Sequence, residues 1–281
     1  MGATGWGSFV AGAYNRASGA GAVAIGFHNI AGPTGSDISN IPPSTTNLGG
    51  QFAVGYGTQA TGHVAFSSGY STTASATAST ALGYSTTASG GYSTAMGEGS
   101  TASGSRSTAM GKTTIASDFA SVVIGQYNSS GSSVTNNATV FNTANTAFVI
   151  GNGTSGSLSD AFKVMFNGDA TVSNDLTVSG DVNVSSDARL KANIASLGST
   201  IAKLLLIDGK SYTMKKDGKQ KIGVLAQDVQ KVFPELVSKD DNEMLAVNYQ
   251  GLVPVLINAL KEQDEKISRL ENLVEKLISE K

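Results

Sequence analysis

The sequence predicts a mostly β N-terminal part, a narrow parallel β-solenoid, joined to an α+β C-terminal part that ends in one long coiled-coil helix. Three observations carry this. Gly55, Gly69, Gly83, Gly97, Gly111 and Gly125 recur every 14 residues. At Ser185-Ser186-Asp187-Ala188-Arg189-Leu190-Lys191 the texture changes, from Gly, Ala, Ser and Thr with few charges to charged sequence rich in Leu and Lys. Near the C-terminus Val253, Leu260, Ile267 and Val274 interleave with Leu256, Gln263, Leu270 and Leu277 at seven-residue spacing.

Composition bounds the function. With 281 residues the chain is long enough for two domains, and its formal charge of −2 with 14% charged residues gives no basic patch for nucleic acid. The sequence has no cysteine, hence no disulfide framework or thiolate site. His28 and His63 are isolated, so no metal and no cofactor is expected. No apolar run approaches the roughly 20 residues of a membrane span, and no basic-then-apolar start marks a signal peptide. Met1 leads straight into repeats, which suggests a fragment of a longer protein. Acids are scarce before residue 185 and no aromatic groove is apparent, which argues against a glycan hydrolase.

In residues 1–125 the true unit is seven residues with a small-x-Gly core. Gly5, Gly12, Gly19 and Gly26 follow the same rule. Glycine and serine recur too often for helix, whereas a short strand plus a Gly turn fits, so 14 residues make one coil with two short strands. The middle residue is apolar in alternate units (Val54, Leu82, Met96, Met110, Ile124) and polar in the others (Thr61, Ser75, Ser89, Ser103, Ser117). One unit is therefore expected to face a core and the next solvent or a tight corner, each coil burying an Ala and one larger residue. So thin a core does not offset chain entropy alone, and several chains packed side by side are expected. The other reading of this composition, a disordered Gly/Ser/Thr linker, lacks the strict register.

Residues 27–52, with Pro33, Pro42 and Pro43, break the period and are expected to project as a loop, a natural place for receptor contact. Residues 126–185 form a β-rich shaft or stem. Strands are expected at Thr146–Ile150 and Ala161–Phe166, then in the alternation of Ala170–Val172, Leu176–Val178 and Val182–Val184.

At the seam a hydroxyl and an amine lie five residues apart. Serine becomes a nucleophile when a base takes its proton, and a lysine can be that base only when burial or a cationic neighbour makes its amine neutral. Arg189 is a candidate neighbour. The ordinary reading of Ser, Asp and Lys in a polar linker is a solvated turn.

In residues 186–281, Ile201–Ile207 reads as a short helix or strand, Lys210–Met214 as a strand, Ile222–Phe233 as strand then helix stopped by Pro234, and Leu245–Tyr249 as a strand. A long helix follows. Gly251–Leu260 is expected to pack on its own domain, and from Gln263 onward the heptads call for partner helices, with Gln263 as a polar, register-setting layer.

The runs Ala81-Leu82-Gly83, Ala95-Met96-Gly97 and Ala109-Met110-Gly111 resemble the head repeats of YadA-type trimeric adhesins, over about residues 1–26 and 53–125. That implies a trimer of left-handed parallel β-rolls. Ser186-Asp187-Ala188-Arg189-Leu190-Lys191, Ile222–Val229, Phe233-Pro234-Glu235-Leu236-Val237, Val247-Asn248-Tyr249 and the helix after them are similar to the C-terminal intramolecular chaperone of endosialidases and phage tail fibres. Members of that family trimerise, assist a β-rich fibre to fold and cleave themselves off. The resemblance implies a single-turnover serine endopeptidase with Ser186 as nucleophile, Lys191 as base and the scissile bond between Ser185 and Ser186. Asp187 and Arg189 match the motif without an assigned role. A trimer core of Leu256, Leu260, Gln263, Ile267, Leu270, Val274 and Leu277 is expected. So are a homotrimer, a host-surface glycan or protein receptor, and a place on a virion tail fibre or a bacterial surface fibre. The competing reading is a structural trimeric adhesin in which residues 186–281 stay as a permanent base and nothing is cut.

Overall fold

A computed structural model describes residues 2–33, 49–240 and 243–280. The chain divides into two compact units, Met1–Asp181 and Val182–Lys281.

The first unit is a parallel β-solenoid whose coils each contribute one long and one short strand. The long strands are β1 (Phe9–Ala13), β3 (Val23–Phe27), β5 (Phe52–Tyr56), β7 (Phe66–Tyr70), β9 (Thr80–Tyr84), β11 (Thr94–Glu98), β13 (Thr108–Lys112) and β15 (Val122–Gln126). Between them lie the short strands β2 (Arg16–Ala17), β4 (Ile30–Ala31), β6 (Gln59–Ala60), β8 (Thr73–Ala74), β10 (Thr87–Ala88), β12 (Thr101–Ala102) and β14 (Ile115–Ala116). Equivalent residues stack in register, Ala81 on Ala95 and Ala95 on Ala109. Backbone bonds run from coil to coil, as from Thr80 N to Ser93 O and from Thr87 N to Ser100 O, both at 2.9 Å. Every coil thus satisfies the backbone groups of its neighbours.

The interior is narrower than the sequence suggests. In most described coils both strands turn an alanine inward, Ala81 and Ala88 being fully buried, and among the described coils no alternate unit faces away. The second inward place is taken by a hydroxyl, such as Thr86 and Ser93, both fully buried. The middle apolar residues expected in the core lie on the outside instead, Leu82 and Met96 half-buried and Met110 exposed. The cause is the two-residue alternation of a strand. With the alanine turned in, the residue after it must point out.

Glycine closes the coil where backbones meet. At Gly97 φ is +109°, and a Cβ would lie 2.1 Å from the Gly111 carbonyl oxygen. Other corners use side chains in the left-handed region, among them Ser71, Ala78 and Ser85. Outward of the long strands, Tyr56, Tyr70 and Tyr84 stack at 4.9 and 5.1 Å between ring centres.

The expected interruption over 27–52 is shorter in the fold. β4 pairs with β2 and Ala31 lies opposite Ala60, so the repeat continues through Ala31 and resumes before Phe52. Residues 34–48, where Pro42, Pro43 and the expected receptor loop fall, lie outside the described residues.

The solenoid ends by substitution of side chains for a further coil. The Asn128 amide accepts from Ile115 N at 2.8 Å and donates to Ile115 O at 2.9 Å, as a next strand would. Asp118, at the position of Gly62, Gly90 and Gly104 in earlier coils, is fully buried and accepts from Thr135 N and Thr146 N at 2.7 and 2.8 Å. Strand β16 (Thr146–Asn152) adds in parallel to β15. β17 (Asp160–Met165) and β18 (Ala170–Val172) then turn antiparallel and finish the sheet. These strands extend the solenoid sheet, with the pairing changing from parallel to antiparallel after β16. The alternating segments 176–178 and 182–184 are exposed and form no strand. Alternation prepares a face, but a strand also needs a partner backbone.

In the second unit, α1 (Ile201–Leu204) precedes the hairpin β19 (Lys210–Thr213) and β20 (Gln220–Gly223). Next come α2 (Ala226–Val232), stopped at Pro234, and the antiparallel pair β21 (Val237–Lys239) and β22 (Leu245–Val247). The last element is α3 (Leu252–Ser279). Its small core is Val229, Phe233 and Val255, with Leu204, Ile207, Val224 and Leu236 packed against it.

Candidate functional site

The seam lies in the second unit, upstream of its packed core. Asp187 caps a single 3-10 turn, Ala188–Leu190, by accepting from Arg189 N at 2.8 Å. Its carboxylate also takes Arg189 Nε at 3.0 Å and Nη2 at 2.7 Å. These bonds, side chain first and backbone second, hold Asp187 below the usual carboxylate range and raise Arg189. Arg189, the candidate cationic neighbour of Lys191, is thus paired with Asp187. The turn has a consequence for chemistry. It reverses the chain so that the Lys191 amine donates to Ser186 Oγ at 2.7 Å, bridging the five-residue spacing.

The pair has the reach that a nucleophile and its base require. Ser185 through Lys191 are exposed, however, and their described hydrogen bonds are internal to the segment. A solvated ammonium is no base, and an oxyanion needs donors aimed at it. The single chain thus supplies the turn but not the closed environment.

Downstream, the other motifs singled out in the sequence find structural work. Gly223 leaves room for Tyr249, whose Oη would lie 2.7 Å from a Cβ there and accepts from Val224 N at 3.1 Å. Asn248 donates its N–H to Leu236 O at 2.8 Å, and its side-chain oxygen accepts from Gly251 N at 3.1 Å at the start of α3.

Helix α3 has two faces. Val255 and Ala259 are buried against the unit. The heptad residues Val253, Leu256, Leu260, Gln263, Ile267, Leu270, Val274 and Leu277 are all exposed, Leu260 at 66% and Leu277 at 64%. Own-domain packing thus exists at Gly251–Leu260 but uses residues other than the heptad seam.

Sequence reading missed Glu262. Its carboxylate accepts from Ser199 Oγ at 2.7 Å, from Thr200 N, and from Ile201 N at 3.2 Å. The Ser199 hydroxyl first, then the backbone bond from Thr200, holds Glu262 below the ordinary carboxylate range. No local pattern signals this, because the partners are some 62 residues away. Among the described residues no group of His, Cys, Asp and Glu could hold a metal ion, and no helix is long and apolar enough to cross a membrane.

Comparison with known families gives two matches. Residues 65–86 and 88–114 match the YadA head domain repeat, in two copies, and residues 186–238 match the chaperone of endosialidase. The order is that expected from the repeats and the seam, so the chain joins YadA-like head repeats to an endosialidase-chaperone region. No curated protein matches the chain.

Proposed function

We propose that this chain is part of a homotrimeric fibre or adhesin whose C-terminal region, residues 186–281, gathers three chains, guides the β-rich remainder to fold and then cuts itself off. In this reading residues 1–125 are the head, a trimer of left-handed β-rolls, and 126–185 the stem. The fibre belongs to a phage tail or a bacterial surface, and a host-surface glycan or protein is its receptor.

The observation that carries the reading is the 2.7 Å contact between Lys191 Nζ and Ser186 Oγ. It lies at the residue where the chaperone match begins. Packing of partner chains over the exposed turn would desolvate the amine and favour its neutral form, so an isolated chain is inert. Lys191 then takes the Ser186 hydroxyl proton, and Oγ attacks the Ser185 carbonyl carbon. The Ser185–Ser186 peptide bond breaks, the proton passes to the Ser186 nitrogen, and an ester links Ser185 to Oγ. Water hydrolyses the ester, leaving a carboxylate at Ser185 and a free amine and hydroxyl at Ser186. The exposed heptad row on α3 supports association of three chains, since a narrow apolar seam facing water is what a coiled coil covers.

Such a division of labour has a physical reason. Thin coils that depend on neighbouring chains fold slowly and risk register errors, which a tethered trimeriser reduces by raising local concentration. Its removal leaves the fibre kinetically trapped.

Intact mass spectrometry of the freshly made chain, beside Ser186→Ala, tests this. Two masses summing to the chain plus one water, against one uncut mass in the variant, are expected. A single intact mass in both would leave the permanent-base adhesin. Fragments from Lys191→Ala at the parent's rate would remove the proposed base.

A further inference from the structure

We propose that Glu262 is a positioning residue for the cut. It clamps the chain downstream of Ser186 and Lys191 onto helix α3, so the helix that gathers partner chains also fixes where the seam lies. This rests on the self-cleavage reading above.

From Val182 to Ser199 every residue is exposed. The first attachments of this stretch to the rest of its unit come at Gly198–Ile201. There Glu262 takes the Ser199 hydroxyl and the Thr200 and Ile201 N–H groups, and Thr200 Oγ1 donates to Val255 O at 3.0 Å. A helix start leaves N–H groups without partners, and a carboxylate satisfies both their hydrogen bonds and their partial positive charge. The clamp is thus a charge-assisted joint between two pieces of chain distant in sequence.

Its place on α3 gives it meaning. Glu262 continues the buried face of Val255 and Ala259 at helical spacing, while the next residue, Gln263, is turned by about 100° toward the open heptad row. One helical turn therefore holds the seam on one side and offers a partner-facing layer on the other. Lys191 is eight residues before Ser199 (199 − 191), a span of at most about 29 Å. Without the clamp the tether lengthens and the seam samples more positions around the bundle, and misplacement of reacting groups is costly.

The test uses the full chain, with native mass spectrometry to read the trimer and intact mass to follow cutting. Glu262→Gln is expected to assemble as the parent does but to cut at least about tenfold more slowly. Glu262→Asp, a shorter carboxylate, should recover part of that rate. A Glu262→Gln trimer that cuts at the parent's rate overturns the clamp's role and leaves self-cleavage standing. Loss of the trimer in step with loss of cutting also overturns it, because a merely structural residue would do the same. Hydrogen exchange at Thr200 and Ile201 decides the clamp itself in the uncut Ser186→Ala chain. Adding Glu262→Gln there should remove protection, and unchanged protection refutes the joint. A parent that never cuts would sink the self-cleavage reading and the positioning role together, whatever exchange shows.

Discussion

The two units solve the same problem, too little core, in opposite ways. The solenoid buries mostly alanine and hydroxyl side chains, and each coil hands its backbone hydrogen bonds to the next even though the buried hydroxyls of Thr86, Ser93 and Ser107 find no partner. Its order is repetitive and internal. The C-terminal unit buries Val229, Phe233, Val255 and Ala259, while Leu205, Leu206, Ile222, Met244 and the heptad row of α3 stay exposed. Burial of apolar surface is the main driving force in folding, at roughly 25 cal/mol per Å², and this unit leaves much of it unused within one chain. Within one chain the repeat array is held by its neighbouring coils, whereas the terminal unit leaves a whole row of its last helix uncovered.

The sharpest way to break this comparison is to block one contact between coils. Gly97→Ala puts a Cβ 2.1 Å from the Gly111 carbonyl oxygen at φ +109°, where the atoms it meets are Gly111 backbone with nothing flexible to give way. We expect a loss of about 4 kcal/mol or more, the range of strained backbone and broken ladders. In circular dichroism the β transition should fall steeply while the helical transition of the C-terminal unit stays put. Equal shifts of both would mean that the two units melt as one.

Acid should act on the other unit. Glu262 lies below its ordinary range because hydroxyl and N–H donors favour its charged form. A carboxyl depressed in the fold stabilises fully above its unfolded value and loses that contribution as pH falls through the folded value. The gap in helix melting temperature between the parent and Glu262→Gln is therefore expected to be widest near neutrality and to close below about pH 4. A gap that widens in acid would mean that the charge is not what binds the start of α1.

What could be read from the sequence follows from how local each signal is. The 14-residue period, the two strands per coil, the helix stop at Pro234 and the long final helix were legible because each repeats or is punctuated nearby. The facing of Leu82 and Met96 was not, since alternation gives two faces without saying which is inside, and only the width of the coil decides. Asp118 reads as a lapse in the glycine series, and its partners lie 17 and 28 residues on. At the seam the spacing of Ser186 and Lys191 was visible, and Asp187 two residues before Arg189 is the signature of the capped turn that joins them. Leu176–Val178 and Val182–Val184 show the converse, a strand pattern with no backbone to pair with.

The smallest effect probes how the coils turn. Ala78 sits at φ +51° between two coils, where a Cβ crowds the carbonyl and costs an L-residue about 1–2 kcal/mol. Glycine removes that crowding but adds chain entropy to the unfolded state, roughly 0.5–1 kcal/mol. Ala78→Gly should thus raise solenoid stability by at most about 1.5 kcal/mol per chain, read as a small rise in the β transition with the helical one unmoved. Threefold repetition in an assembled fibre makes the rise easier to see, because the three chains would melt together. A fall instead would show that the Ala78 methyl makes contacts worth more than the strain, and that the corners, like the coils, are held by packing.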